Sequence, residues 1–228
     1  MQFTGERLIP DSEECIKNKF LYNEHVERYL FASKFIENKF VLDIACGTGY
    51  GTNIMFNNGR PKFMLGVDRS TEAIDYALNH YAVGCIDFKK MEAPILNLED
   101  EFFDCVVSFE TLEHIVDQKK MIEEFNRVLK KDGLLILSTP NKQVTAWDNP
   151  FHVKELTRQE LEELLKPYFY SFNWLGQRTI ENFPNWATKL HIRRFLKKYR
   201  MHIDYSKPIQ FNHENENLIG TMIVICKK

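Results

Sequence analysis

"VLDIACGTGYGT", Val41 to Thr52, decides how this chain is read. A short apolar run carries an acid, Asp43, and gives way to glycines at alternate positions: Gly47, Gly49 and Gly51. A buried strand that runs into a glycine-rich turn and then a helix brings a ligand against the main chain. Glycine permits torsions closed to other residues and has no side chain in the way. The distal partner of such a site is in register. Asp68 ends the next apolar run, about 20 residues on, where a carboxylate takes two ribose hydroxyls. Taken alone, the glycines also read as a tight turn and a helix cap.

Outward from this stretch the chain alternates. "FVLDIA", "FMLGVD" (Phe63–Asp68), "CVVSFE" (Cys105–Glu110) and "LLILST" (Leu134–Thr139) are short apolar runs that suit buried strands. Between them lie helical patterns. Ser70 caps a run with Ala73, Ile74, Ala77 and Leu78 on one face. A second pattern puts Met121, Ile122, Phe125, Val128 and Leu129 on one stripe, with Gly133 as its stop. Thr157 and Glu160 form a T-x-x-E capping box ahead of Leu161, Leu164 and Leu165. Strands alternating with helices predict a doubly wound, mostly parallel sheet covered on both faces.

Beyond "FYSFNWLGQ" the rhythm breaks. A strand-like "GTMIVICKK" follows only after about 40 residues, too long for a plain connection. That stretch, 178–217, holds the helical pattern "NWATKLHIRRFLKKYR" and reads as a lid or substrate-binding insertion. The expected organisation is one domain: an N-terminal accessory or lid region over 1–39 with a helix across "YNEHVERYLFASKFIE", a cofactor-binding core over 40–177, the insertion, and a last strand over 218–228.

Bulk properties exclude several classes. The 228 residues suffice for one full core. A formal net charge of -2 gives no global pull toward nucleic acid or anionic membrane. No apolar stretch approaches the roughly 20 residues of a membrane helix. "MQFTGERLIPD" has no apolar signal-peptide core, so a cytoplasmic location is expected. Five scattered cysteines, none in a C-x-x-C pair, read as reduced thiols.

A dinucleotide site uses G-x-G-x-x-G with pyrophosphate at the helix N-terminus. Here the spacing is G-x-G-x-G, and Asp43 would repel a pyrophosphate. An acid there suits a cationic amino group or a sulfonium, which favours S-adenosylmethionine over NAD.

"VLDIACGTGYGT", "LGVDRS", "FFDCVVSFETLEHI" and "RVLKKDGLLILSTPN" together resemble the successive motifs of class I S-adenosylmethionine-dependent methyltransferases, from about Phe40 to Asn141. The resemblance implies a Rossmann-like, seven-stranded, mostly parallel sheet with an antiparallel C-terminal strand. The flanks "FTGERLIP", "EHVERYLFA" and "NPFHVKELT" more loosely resemble bacterial members that accompany sugar- and surface-glycan-modifying enzymes. Roles carried over are these. Asp43 orients the methionine amino group, and Ala45, Gly47 and Gly49 offer backbone to the methionine and ribose. Asp68 accepts the ribose hydroxyls, and Arg69 lies near the adenine. Glu92 is the acid at the adenine amino group, Met91 packs on the ring, and Glu110 stands by the methionine portion.

Methyl transfer requires donor and acceptor in line, and removal of a proton when the acceptor is a hydroxyl. Glu110, Glu113 and His114 in "ETLEH", with His152 further on, fall where ligands bind in open sheets. His114 or His152 is the candidate general base, with Glu113 beside them. Glu110, Glu113, His114 and His152 also resemble the divalent-metal sets of ubiquinone-biosynthesis O-methyltransferases and small-RNA 2′-O-methyltransferases, which would call for magnesium or manganese. The metal-free reading, in which Glu113 and His114 cap the next helix and line the pocket, is preferred. The expected substrate is a small polar molecule, a sugar, nucleotide sugar or glycan methylated at oxygen. N-methylation of a sugar, a metal-dependent RNA or quinone-type reaction, and a non-catalytic cofactor-binding protein are the alternatives. Arg193, Arg194, Lys197, Lys198 and Arg200 read as a solvated helix face or a phosphate-binding stripe. The near-neutral total charge argues against broad nucleic-acid binding.

Overall fold

The computed structural model describes residues 19–144, 149–178, 208–211 and 219–228. In chain order the helices are α1 (Lys19–Ala32), followed by a 3-10 turn Ser33–Phe35, α2 (Tyr50–Gly59), α3 (Thr71–Tyr81), α4 (Gln118–Val128) and α5 (Arg158–Leu165). The strands are β1 (Phe40–Ile44), β2 (Phe63–Asp68), β3 (Ile86–Lys90), β4 (Phe103–Phe109), β5 (Leu129–Pro140), β6 (Ser171–Arg178), a two-residue β7 (Ile209–Gln210) and β8 (Ile219–Lys227).

The sheet order is β3-β2-β1-β4-β5-β8-β6-β7. The first five pair in parallel, and β8 runs antiparallel to both β5 and β6. Seven full strands, mostly parallel with an antiparallel C-terminal one, are what the motif order implied. The order reverses where β1 pairs with both β2 and β4, so the crevice at their carboxyl ends is where ligands bind in such sheets.

Alternation along each strand supplies two cores. Leu42, Ile44, Val106, Leu135 and Leu137 face the layer of α4 and α5, against Met121, Ile122, Phe125, Leu161 and Leu165. Val41, Met64, Cys105, Val107 and Ile136 face the other side, against Tyr29, Ala32, Ile36 and Met55. Each such buried aliphatic side chain contributes roughly 1.5–3 kcal/mol.

The predicted caps form. Ser70 Oγ accepts from Ala73 N, and Thr157 and Glu160 make a full capping box. Leu78 departs from its stripe and is exposed. The helix expected to run to Gly133 stops earlier, at Val128. Leu129 already pairs with Phe103, and the left-handed turn falls on Asp132 (φ 64°). A Cβ at Gly133 would stand 2.8 Å from the Lys130 carbonyl, so glycine serves the tightness of that turn. The helix read in "NWATKLHIRRFLKKYR", with its basic stripe, lies outside the described residues. Among the described residues no helix is long and apolar enough to cross a membrane.

Candidate active site

The three glycines of the opening stretch do different work. Gly47 has φ +56° and nothing within 4 Å of where a Cβ would be, so its side is open. Gly49 (φ +80°) would place a Cβ 2.8 Å from both Ala77 and the Phe88 ring, which makes it a helix-packing position. At Gly51 the obstructing group is the Tyr29 ring of α1. Ala45 is exposed at φ 59°, and Glu110 follows β4 at φ 48°. Two non-glycine residues in the left-handed region, on adjacent strand ends, mark strain at this edge.

Asp43 is 1% exposed. Its Oδ2 accepts from Thr52 Oγ1, while its Oδ1 is buried with no partner among the described residues. Burial pushes its carboxyl up to about 7, opposed by the Thr52 hydrogen bond and reinforced by Asp68. A buried acceptor left open costs roughly 1–3 kcal/mol, and a cationic donor would relieve it. Asp68 organises the turn from the next strand. Its Oδ2 accepts from Gly47 N at 3.1 Å and its Oδ1 from Ser70 N at 2.8 Å. Arg69 follows it and is exposed. Met91, half-buried, donates its N–H to the Asp68 carbonyl at 3.0 Å, and Glu92 beside it is exposed.

Sequence reasoning gave the N-terminal region an accessory or lid role but named no individual residue of α1. Arg28 is 1% exposed. Its Nη1 donates to Gln177 Oε1, and Gln177 Nε2 donates to the Glu24 carbonyl at 2.9 Å. Arg28 Nε and Nη2 are buried with no partner among the described residues. Burial pushes Glu24 up to about 7, against the pull of Arg28 and with a further push from Glu110. His25 is held well below its ordinary value by burial and by Arg28, so its imidazole is neutral. The signal available in the sequence was Glu24 and Arg28 at i, i+4, beside Tyr29. Charges on the face of a helix that also buries an aromatic are placed there for a partner.

On the other side of the crevice, Glu113 and His114 form a one-turn 3-10 helix, Leu112–His114. The cap of α4 is Asp117, which accepts from Lys120 N, so Glu113 and His114 do not cap it. Glu113 is 1% exposed. Its Oε2 accepts from Thr139 Oγ1 at 2.9 Å. Its carboxyl is held well above the ordinary range by burial and by the charge of Glu110. Glu110 Oε1 accepts from Ser138 Oγ at 2.7 Å. The His114 and His152 rings meet edge to face, centroids 5.0 Å apart. Glu113, His114 and His152 each offer a ligand atom within 4.8 Å of the others, and Glu110 is not part of that set. A buried carboxylate and two imidazoles fit a divalent transition metal better than magnesium, which prefers oxygen.

Residues 36–191 match the family described as "Methyltransferase domain", and the chain belongs to it: it is a class I S-adenosylmethionine-dependent methyltransferase domain. A probable S-adenosylmethionine-dependent methyltransferase of Mycobacterium tuberculosis is 32% identical over 170 residues, 72% of this chain and 60% of that protein. A ubiquinone biosynthesis O-methyltransferase of Coxiella burnetii is 30% identical over 122 residues, 53% of this chain and 51% of that one. The chain thus spans less than two thirds of the length of these relatives. In fold it is similar to a SAM-dependent methyltransferase from Archaeoglobus fulgidus, with TM-score 0.64 and 19% identity, covering 96% of this chain and 100% of that one.

Proposed function

We propose that the chain transfers the methyl group of S-adenosylmethionine to an oxygen of a small polar acceptor, a sugar, nucleotide sugar or glycan. The observation that carries the cofactor side is Asp43 Oδ1, buried with no partner among the described residues. It suits the cationic amino group. Asp68 suits the ribose hydroxyls, and Glu92 with Met91 the adenine. Arg28, whose Nε and Nη2 have no partner among the described residues, suits the methionine carboxylate. S-adenosylmethionine supplies a methyl already activated by sulfonium. Glu110, Glu113, His114 and His152 then orient the acceptor, and one imidazole takes the hydroxyl proton. The acid-rich lining disfavours an anionic group at the reacting end and suits hydroxyls, which donate to carboxylates. The sugar assignment draws on the flanking segments quoted above.

Calorimetry tests the cofactor. S-adenosylmethionine and S-adenosylhomocysteine are expected to bind and NAD is not; the reverse order of affinity would end this reading. A mass-spectrometric screen of nucleotide sugars for a gain of one methyl tests the acceptor.

A second reading is favoured by the convergence of Glu113, His114 and His152, and by the likeness to an O-methyltransferase of ubiquinone biosynthesis. In it these three residues hold a divalent metal. When bound, the metal supplies a Lewis acid that binds and acidifies the acceptor hydroxyl. Manganese binding measured without substrate separates the two readings.

A further inference from the structure

The loop 149–157 carries a chain of hydrogen bonds that the roles above leave unused. It begins at a group with no choice of role. The Phe151 N–H can only donate, and it donates to Asn149 Oδ1 at 3.0 Å. That fixes the other end of the amide as nitrogen. Asn149 Nδ2 lies 3.0 Å from His152 Nε2. An amide nitrogen offers only protons, so Nε2 meets it with a lone pair. The imidazole proton is then on Nδ1, which lies 2.6 Å from Glu155 Oε1. Three contacts agree on one neutral tautomer. His152 and Glu155 side chains are each only 14% exposed, so water competes weakly for these bonds.

His114 has its Nδ1 proton fixed by a shorter route. Its Nδ1 stands 2.9 Å from the Phe151 carbonyl oxygen, which only accepts. Its Nε2 lies 3.8 Å from Glu113 Oε1. The same loop grips the next turn of chain, because the Val153 and Lys154 N–H groups both donate to the Glu113 carbonyl, at 2.8 and 3.1 Å.

We infer that Glu155 is a positioning residue that holds His152 in its Nδ1–H tautomer, while the Asn149 amide keeps, with an N–H, the place at Nε2 that an acceptor O–H takes. The relay is closed on itself until the acceptor arrives. Its Nε2 needs no proton rearrangement to receive a hydroxyl proton, and the imidazolium so formed faces the Glu155 carboxylate. This rests on the acceptor-side reading of His152. The tautomer itself can be measured without any turnover, so the two stand or fall separately.

The experiment is imidazole nitrogen NMR on the whole, ligand-free chain labelled with ¹⁵N-histidine, in which long-range proton correlations identify the protonated nitrogen. Wild type is expected to show His152 and His114 both as Nδ1–H. Glu155→Ala combined with Asn149→Ala, which removes the N–H facing Nε2 as well as the acceptor at Nδ1, is expected to turn His152 to Nε2–H and to leave His114 unchanged, since the Phe151 carbonyl still holds it. Glu155→Gln keeps an acceptor oxygen and is expected to retain Nδ1–H. S-adenosylhomocysteine binding reports that each variant is folded. Glu155→Met, similar in shape and without an acceptor, stands in for Glu155→Ala in that pair if the double variant is not. A wild-type His152 carrying its proton on Nε2 overturns the proposal, and so does Nδ1–H persisting when both Glu155 and Asn149 are replaced by Ala. Turnover by His152→Ala separately decides whether this nitrogen is used in methyl transfer.

Discussion

The ring of Tyr29 fills the space that a side chain at position 51 would need. The third glycine of the G-x-G-x-G turn therefore serves a contact between α1 and α2, and the glycine with open space at its Cβ position is Gly47. Tyr29 also meets Tyr50 edge-on, centroids 5.8 Å apart, and Phe109 at 5.1 Å. One aromatic thus ties the N-terminal helix to the first turn of α2 and to the end of β4.

Gly51→Ala is expected to destabilise the protein by about 1–3 kcal/mol through overpacking, read as a lower melting temperature. In a Tyr29→Ala background the added methyl should cost almost nothing, because the obstruction is gone. Gly47→Ala has the opposite profile. Its left-handed backbone costs about 1–2 kcal/mol, but the main loss is in S-adenosylhomocysteine affinity, since the methyl enters the crevice. Additive losses for Gly51 and Tyr29 would contradict this assignment.

Asp43 gives a pH signature. Its carboxyl, pushed up to about 7 in the fold, stays protonated there at pH values where the unfolded chain has already ionised it. Between about pH 4 and 7 the unfolded state therefore binds fewer protons, and stability falls as pH rises through that window. Asp43→Asn removes this loss. The variant is expected to melt higher than wild type at pH 8, by roughly 1–4 kcal/mol in stability, with the gap closing toward pH 4. It should also lose cofactor binding, whereas wild-type affinity should rise with pH toward 7 as the carboxylate forms. A pH-independent gap in melting would reject the buried-acid account.

Arg28→Met is expected to weaken S-adenosylhomocysteine binding by about tenfold to a hundredfold, the loss of a charge-assisted hydrogen-bond pair. The affinity for 5′-methylthioadenosine, which lacks the amino-acid end, should not change. Stability should hold or increase, because a buried guanidinium whose Nε and Nη2 have no partner among the described residues is replaced by an apolar chain. Equal losses for both ligands would mean that Arg28 shapes the fold and does not read the carboxylate.

His114→Ala or His152→Ala is expected to lower turnover by about 10²–10⁴ if that imidazole is the base, with cofactor affinity nearly unchanged. Chelator is harmless in that case. With a metal held by Glu113, His114 and His152, chelator abolishes activity, manganese restores it, and either variant weakens manganese binding in the absence of substrate.

The fold was legible where one strong pattern met one strong constraint. The runs that became β1, β2, β4 and the body of β5 are buried on both faces, so they read as continuous apolar stretches. Edge strand β3 did not. In Ile86–Lys90 only Ile86 and Phe88 are buried, with Lys89 and Lys90 exposed, which is how an edge protects itself and why it carries a weak signal. Asp43 and Asp68 were legible as candidates because they end or interrupt strands at fixed spacing. Arg28 was not, since its meaning depends on Gln177, 149 residues away. The converging His114 and His152 could be named from the sequence, but Asn149 and Glu155 acquire a role only through ring nitrogens that the sequence does not orient.

The position of α1 bears on how this domain could be handled as a separable part. The family match spans residues 36–191, and a fragment cut to those bounds would look self-sufficient by sequence. It would lack Arg28 and Tyr29, and would leave Gly51, Tyr50 and Phe109 as a bare apolar notch. It would also lack β8, which pairs with β5 from Leu134 to Pro140, so a long hydrophobic strand would be left as a raw edge, open to pairing with other chains. A transplant of this catalytic unit into another scaffold should therefore carry residues from Lys19 through to the C-terminal strand.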